Sequence, residues 1–289
     1  MLYLRQLALP GGSAESNFFW SKEELKRTCY SNFYPFQIFP GKKLTTLTFE
    51  PVTIFCGGNG SGKTTLLNIL ADLAGAERTA PYNHSSFWKD YLALCQAAFT
   101  PDWAGKAFII TSDDVFDYLL NIRTLNEGID RKREDLLQEF LSIKYGGGKF
   151  RMRTMDDYDQ IKKQALAYRS TGSRYVKDQL MGNVRNGSNG ESAFEYFTHA
   201  IGEDALYLLD EPENSLSPAN QLKLAQFIED SARFFHCQFI LSTHSPLLLA
   251  LKGAKVYDLD RTPPAPVRWT ELETVQGYRQ FFESHRDEF

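Results

Sequence analysis

The feature that most constrains this chain is a glycine-rich loop between a predicted buried strand and a predicted helix. Residues 52–56 are apolar and β-branched, the loop from Gly57 to Thr64 reads G-G-N-G-S-G-K-T, and the following T-T-L-L-N-I-L-A-D-L-A-G has helical apolar spacing. Glycines let backbone N–H groups converge on one point, and the helix directs its positive dipole end to the same point. The spacing G-x-x-x-x-G-K-[ST] therefore predicts a phosphate-binding P-loop.

The side chains at the end of this loop have separate expected roles. Lys63 is expected to reach the β and γ phosphates of a nucleotide, and the Thr64 hydroxyl is expected to hold Mg²⁺. The other residues expected to contact the nucleotide are Gly57, Gly58, Asn59, Gly60, Ser61, Gly62 and Thr65.

Two further apolar runs end in polar residues. Leu206 to Leu209 runs into Asp210 and Glu211, and a second predicted strand ends in S-T-H-S-P, which contains His244. Ligands of open α/β sheets bind at the carboxyl ends of the strands. We expect Asp210 to bind Mg²⁺, Glu211 to act as general base on the attacking water, and His244 to hydrogen-bond the γ-phosphate and that water.

The order of elements predicts an α/β fold with a helical insertion. Strand patterns alternate with helical ones around the P-loop and again from Leu206 onward, whereas residues 115–140 and 158–184 have amphipathic helical patterns. We interpret residues 1–289 as one nucleotide-binding domain with a helical insertion over approximately residues 113–200.

The three motifs, in this order, resemble the ABC-type ATPase superfamily. Within that superfamily, the segment D-E-P-E-N-S-L-S-P resembles the soluble SMC- and RecF-like predicted ATPases, AAA-family proteins of the stand-alone ABC head type, more than it resembles transporter subunits. The resemblance implies a P-loop NTPase head with a mixed central sheet and a helical insertion. It also implies ATP and Mg²⁺ as cofactors, and an ATP-dependent homodimer that controls a separate effector protein.

The same resemblance assigns residues to the dimer interface. G-S-N-G-E-S, from Gly187 to Ser192, resembles the family's signature motif, in which Ser188 and Gly190 would contact the γ-phosphate of ATP held by the second subunit. Residues 214–217 would form the D-loop, which crosses the interface.

Two departures from the family pattern are the absence of the transporter signature Leu-Ser-Gly-Gly-Gln and the absence of a clear glutamine after the predicted strand at residues 107–110. Ser112-Asp113-Asp114 stands where the family places a Mg²⁺-sensing glutamine. The aromatic residue that would stack on adenine is not fixed by the sequence, because Tyr34, Phe36 and Phe39 all precede the P-loop.

Charge argues against nucleic-acid binding over the whole surface, since the formal net charge is −4. Residues 144–185 nevertheless contain ten Lys or Arg and four Asp residues, a local balance of +6. This region is either a solvated helical face or a binding site for nucleic acid or an acidic partner.

No apolar run is long enough to span a bilayer, the N-terminus lacks a signal-peptide pattern, and the four cysteines form no C-x-x-C pair. We therefore expect a cytoplasmic protein without membrane insertion. Only 45 residues follow His244, so any effector activity is expected in another protein.

The resemblance suggests DNA repair or phage defence as the process. Two other functions are alternatives to a stand-alone ATPase that controls a partner. One is an energy-coupling ATP-binding subunit of an ABC transporter, and the other is a nucleotide-gated binding module with negligible turnover.

Overall fold

A computed structural model describes residues 1–21, 30, 32–146, 158–184 and 189–288, with the backbone alone for residues 158–161. The contacts divide the chain into two compact units. The larger unit comprises residues 1–116 and 189–289, and the smaller unit comprises residues 117–188.

Strands and helices alternate along most of the described chain. The strands are β1 (Leu4–Ala8), β2 (Thr46–Thr48), β3 (Val52–Cys56), β4 (Gln96–Phe99), β5 (Ala107–Thr111), β6 (Leu206–Asp210), β7 (Gln238–Ser242), β8 (Lys255–Asp258) and β9 (Ala265–Val267). The helices are α1 (Gly12–Ser21), α2 (Lys63–Ala74), α3 (Trp88–Leu94), α4 (Ser112–Tyr145), α5 (Tyr158–Arg169), α6 (Gly172–Lys177), α7 (Asn189–Ala200), α8 (Pro218–Phe234), α9 (Pro246–Leu249) and α10 (Glu273–Ser284).

The main sheet of the larger unit has the strand order β5-β6-β7-β3-β8-β9. Its strands pair in parallel except for β9, which pairs antiparallel with β8. Every residue of β3 and β7 is buried, as expected for strands covered on both faces. The predicted α/β class with a mixed central sheet is therefore confirmed.

A second, antiparallel sheet has the order β2-β1-β4, and one of its links to the main sheet is a fully buried glutamine. Gln238 of β7 is fully buried. Its Oε1 accepts the backbone N–H groups of Tyr3 and Leu4, both at 2.8 Å, and its Nε2 donates to the carbonyl oxygen of Leu4 at 2.9 Å. A buried amide thus satisfies backbone groups that would otherwise be unpaired between the sheets.

The helices differ from the sequence prediction in several places, and two of these differences have a local explanation. Helix α1 was not predicted, because Gly12–Ser21 has no apolar stripe at helical spacing. The helix predicted over residues 158–184 is instead two helices, α5 and α6. They are separate because Thr171 caps the N-terminus of α6, where its hydroxyl accepts the N–H of Arg174.

The compact units do not match the predicted insertion boundary at its C-terminal end. Helix α7 falls within residues 113–200 but belongs to the larger unit, while the smaller unit ends at residue 188. The interpretation as one nucleotide-binding domain stays a prediction.

The smaller unit is less basic than residues 144–185 suggest. By sequence, residues 117–188 contain 14 Lys or Arg and 10 Asp or Glu, a balance of +4, because α4 adds acidic residues. Several cations of the predicted basic region also have partners within the unit: Lys163 contacts Glu139 at 2.6 Å, and Lys144 donates to the carbonyl of Ser170 at 3.1 Å. Outside the described residues lie Lys149, Arg151, Arg153 and Arg185.

Among the described helices, none is both long enough and apolar enough to cross a membrane.

The contacts of Gln238 generate a stability prediction. Gln238→Leu preserves the approximate side-chain volume but leaves two buried N–H groups and one carbonyl unpaired. We expect the free energy of unfolding to fall by about 3 kcal/mol or more, measured by urea denaturation. The control is Gln226→Leu, which alters an exposed side chain bonded to Asp230 within α8, and should change that free energy by less than about 0.5 kcal/mol. Equal stability of the two variants would contradict the assigned role of Gln238.

Candidate active site

The P-loop leaves the end of β3 and leads directly into α2. Gly57 has φ 154° and Gly62 has φ 98°. A Cβ atom on Gly57 would lie 2.8 Å from Ser61 Oγ, and one on Gly62 would lie 2.9 Å from the ring of Phe39. The loop therefore requires glycine at both positions for backbone conformation and for space.

Lys63, the first residue of α2, has a buried side chain that folds across the loop. Its Nζ donates to the carbonyl oxygens of Gly57 at 3.0 Å and Gly58 at 3.3 Å. The same Nζ lies 3.9 Å from Glu211 Oε1 at the end of β6. Lys63 thus joins the P-loop to the carboxyl end of a strand two places away in the sheet.

Thr64 and Asp210, the two predicted metal ligands, lie side by side. The Thr64 hydroxyl donates to Asp210 Oδ1 at 3.2 Å, and Ser242 Oγ donates to the same oxygen. Burial raises the pKa of Asp210, while the hydrogen bonds from Ser242 and Thr64 lower it. A hydroxyl and a carboxylate oxygen are the hard donors that Mg²⁺ prefers, so the pair fits that ion.

Glu211 occupies a strained position after β6. Its backbone is left-handed, with φ 48° and ψ 53°, a conformation uncommon outside glycine, asparagine and aspartate. Its N–H donates to the Ser242 carbonyl at 3.1 Å, and its Oε2 accepts Asn214 Nδ2 at 3.0 Å. These bonds direct Oε1 toward Lys63 and His244.

His244 follows β7 and faces the same carboxylate. Its Nε2 lies 3.6 Å from Glu211 Oε1, which is too long for a hydrogen bond. Nε2 is buried and has no hydrogen-bond partner among the described residues. The structure therefore brings Lys63, Glu211 and His244 together at one edge of the sheet.

Glu213 is a residue of this site that the sequence analysis missed. Its Oε1 accepts the backbone N–H of His244 at 2.6 Å, and its Oε2 is buried without a partner among the described residues. Gln221 makes a second link to this loop, because its Oε1 accepts the hydroxyl of Ser245 at 2.7 Å. The sequence D-E-P-E shows that residue 213 is acidic. Only the folded turn after Glu211 shows that Glu213 accepts the backbone N–H of His244.

A cavity of about 330 Å³ lies over the P-loop and is lined by Tyr34, Ile38, residues 59–65 and Glu211. Of the three aromatic candidates for adenine stacking, Tyr34 alone lines it. The Tyr34 hydroxyl donates to Thr65 Oγ1 at 3.1 Å, and its ring stacks on Trp88. Phe36 and Phe39 are buried in the hydrophobic core.

Residues 112–114, which stand where the family has a glutamine, divide between two roles. Asp114 is buried and accepts the N–H groups of Ala80 at 2.9 Å and Thr111 at 2.7 Å, so it stabilises the start of α4. Ser112 and Asp113 line a larger cavity of about 830 Å³ that also borders Thr64 and Asp210.

Of the two predicted signature residues, Gly190 is described and does not line the P-loop cavity of its own chain. Ser188 lies outside the described residues. Gly190 lies in the first turn of α7, where an added Cβ would be 3.1 Å from Asn220 Nδ2 and 3.4 Å from the backbone N of Ser217. Gly190 therefore packs against the start of α8, directly after the predicted D-loop, residues 214–217.

Comparisons with solved structures return distant matches. The Smc head domain from Pyrococcus furiosus, solved with the C-terminal domain of ScpA, is 13% identical over 99% of this chain and 100% of that chain, with a TM-score of 0.43. The SMC head domain from Thermotoga maritima is 16% identical over 92% and 99%, with a TM-score of 0.40. A nucleotide-free ATP-binding cassette from an ABC transporter is 13% identical over 97% and 96%, with a TM-score of 0.43. Likeness at this level carries no information about activity or partners.

The protein-family comparison is more specific. A search of the curated proteins returned no match. Residues 113–250 match the family described as "AAA domain, putative AbiEii toxin, Type IV TA system". The matched residues include β6, β7, Glu211 and His244. Over residues 113–250 the chain is therefore similar to that family, and the P-loop precedes the matched part.

Proposed function

We propose that this protein binds ATP with Mg²⁺ and hydrolyses it to ADP and phosphate, and that ATP controls its dimerisation. The observation that carries the proposal is the convergence of three strand ends. Lys63 lies 3.9 Å from the Glu211 carboxylate, and His244 lies 3.6 Å from the same oxygen. A cation for phosphate, a carboxylate and a ring nitrogen in one place suit phosphoryl transfer to water.

In this proposal the P-loop binds the phosphates and Lys63 neutralises their charge. The Thr64 hydroxyl and Asp210 would hold Mg²⁺, which supplies positive charge at the phosphate oxygens. Tyr34 is the aromatic side chain best placed to contact the base, since it borders the P-loop cavity.

Glu211 would accept the proton of the attacking water through Oε1. Because Asn214 donates to Oε2, the other oxygen keeps a fixed direction toward Lys63 and His244. His244 Nε2 is the group available to hydrogen-bond the γ-phosphate and the water, since it has no partner among the described residues.

The partner that we propose is a second copy of this chain. Gly190 is not among the described residues that line the P-loop cavity of its own chain, but it lies beside Ser217 at the end of the predicted D-loop. Ser188 and Gly190 would supply donors to the γ-phosphate from across the interface. A separate effector protein, in a process such as DNA repair or phage defence, remains a proposal from the family resemblance.

Nucleic-acid binding through residues 144–185 is not part of the favoured function. The balance over the smaller unit is +4, and Lys144 and Lys163 are engaged by neighbouring groups. These observations support the solvated-face interpretation.

Binding and chemistry can be separated by two substitutions. Lys63→Ala removes the charge that meets the phosphates, and we expect the Kd for ATP to rise about 100-fold or more. Glu211→Gln keeps an acceptor for Asn214 but removes the base, so ATP should still bind while hydrolysis falls about 100-fold or more. Nucleotide titration and phosphate release measure these effects. Lys252→Ala, at an exposed lysine remote from the P-loop cavity, is the control. Normal turnover in Glu211→Gln would refute the assigned base.

Glu213 is expected to act as a positioning residue for His244. Glu213→Ala removes the acceptor of the His244 N–H, and we expect kcat to fall about 10- to 100-fold with little change in the Kd for ATP. Glu213→Gln retains an acceptor oxygen and should recover most of the rate.

The matched control for Glu213 is Glu229→Ala. Glu229 Oε1 also accepts a backbone N–H, that of Lys252, at 3.0 Å, but it lies in α8 away from the P-loop cavity. If this variant lost as much kcat as Glu213→Ala, general loosening of the fold would explain both losses.

ATP-driven dimerisation is tested by light scattering across nucleotide states. Glu211→Gln should shift toward dimer in ATP with Mg²⁺ and toward monomer in ADP, because the γ-phosphate contacts hold the subunits together. Gly190→Asp should raise the dimer dissociation constant about 10-fold or more, because it places a carboxylate against that phosphate.

Gly190→Ala is the control for crowding against Asn220 and should dimerise far better than Gly190→Asp. The proposal fails if Glu211→Gln stays monomeric in saturating ATP and Mg²⁺ while the unmodified protein turns over.

A further inference from the structure

Residues 39–42, a short segment before β2, contact the P-loop. The ring of Phe39 packs where a Cβ of Gly62 would be. Three residues later, Lys42 Nζ donates to the carbonyl oxygen of Ser61 and to that of Leu259, both at 2.8 Å. One lysine therefore ties the P-loop to the turn after β8, although Lys42 and Leu259 are 217 residues apart in sequence.

The bond from Lys42 fixes the orientation of a peptide group in the P-loop. The Ser61–Gly62 peptide is trans, so its C=O and N–H point in opposite directions. Lys42 does not line the cavity over residues 59–65, so it holds the Ser61 carbonyl from the side of the loop away from the cavity, here called the outer side. The Gly62 N–H of the same peptide is therefore expected to face the cavity.

The turn after β8 holds the first half of the P-loop as well. Asp260 Oδ2 accepts the backbone N–H of Gly58 at 2.6 Å, and the N–H of Leu259 donates to the Cys56 carbonyl at 2.8 Å. Burial lowers the pKa of Lys42, whereas the carboxylates of Asp260 and Asp258 raise it. The carboxylates of the β8 turn therefore favour the charged form of Lys42.

We propose that Lys42 is a positioning residue of the nucleotide site, which holds the P-loop backbone in its phosphate-binding conformation with the help of Asp260. The inference rests on the proposed ATP binding. Lys42 acts from the outer side of the loop, through the Ser61 carbonyl, and its charge offsets the carboxylates of the β8 turn.

The test compares two neighbouring lysines by titration with ADP and, separately, with pyrophosphate. Lys42→Met should raise the Kd for both ligands about 10-fold, because two carbonyl acceptors lose a charged donor. Lys42→Arg retains a charged donor and should recover part of the affinity. Lys43→Met, at the exposed next residue, should stay within about 2-fold of the unmodified protein.

Amide hydrogen exchange in the absence of nucleotide gives a local readout. In Lys42→Met, the peptide covering residues 57–66 should exchange faster, while peptides from β6 and β7 should exchange as in the unmodified protein. If Lys42→Met does not fold, Asp260→Ala tests the other partner of the loop, and should weaken ADP binding several-fold and speed exchange in the same peptide.

The outcomes separate the inference from the proposed function. If the unmodified protein binds neither ADP nor ATP, the proposed function fails. If the unmodified protein and Lys43→Met bind ADP, and a folded Lys42→Met binds it equally well with unchanged exchange, the positioning role of Lys42 is refuted while the proposed function stands. If Asp260→Ala binds ADP equally well with unchanged exchange, the contribution of Asp260 to holding the loop is refuted.

Discussion

The site depends above all on the parallel pairing of β6, β7 and β3. Asp210 is level with Ser242, and Ser242 is level with Phe55, so three chain segments leave the sheet at the same height. Each segment then turns into a loop with its own polar residues. Without that register, Lys63 Nζ and His244 Nε2 could not both lie within 4 Å of Glu211 Oε1.

The sequence was most informative where one short segment determines its own geometry. The glycines of the P-loop predicted a phosphate-binding loop. The apolar strands that lead into Asp210 and His244 predicted polar site residues at their carboxyl ends. The sheet class and the start of α2 were predictable for the same reason. Helix α1 was not predictable, because Phe18 and Phe19, its partly buried aromatic residues that pack against the core, are adjacent in sequence rather than spaced at a helical period.

The contacts that escaped prediction join residues that are distant in sequence. Gln238 bonds to Tyr3, Lys42 to Leu259 and Gly58 to Asp260, with separations of 235, 217 and 202 residues. A glutamine or lysine seen alone in a sequence gives no indication of such a partner. Glu213 and His244 are 31 residues apart, and their pairing follows from adjacent strands rather than from either motif.

The left-handed backbone of Glu211 costs stability at the position of the proposed general base. A residue other than glycine in this conformation is destabilised by roughly 1–2 kcal/mol, and Asn or Gly would relieve much of that strain. Selection for a more stable fold alone would therefore tend to replace Glu211 and remove its carboxylate. A glutamate in such a backbone is what one expects if the carboxylate has the proposed role. Related chains that do not need the carboxylate are expected to have Asn or Gly at this position.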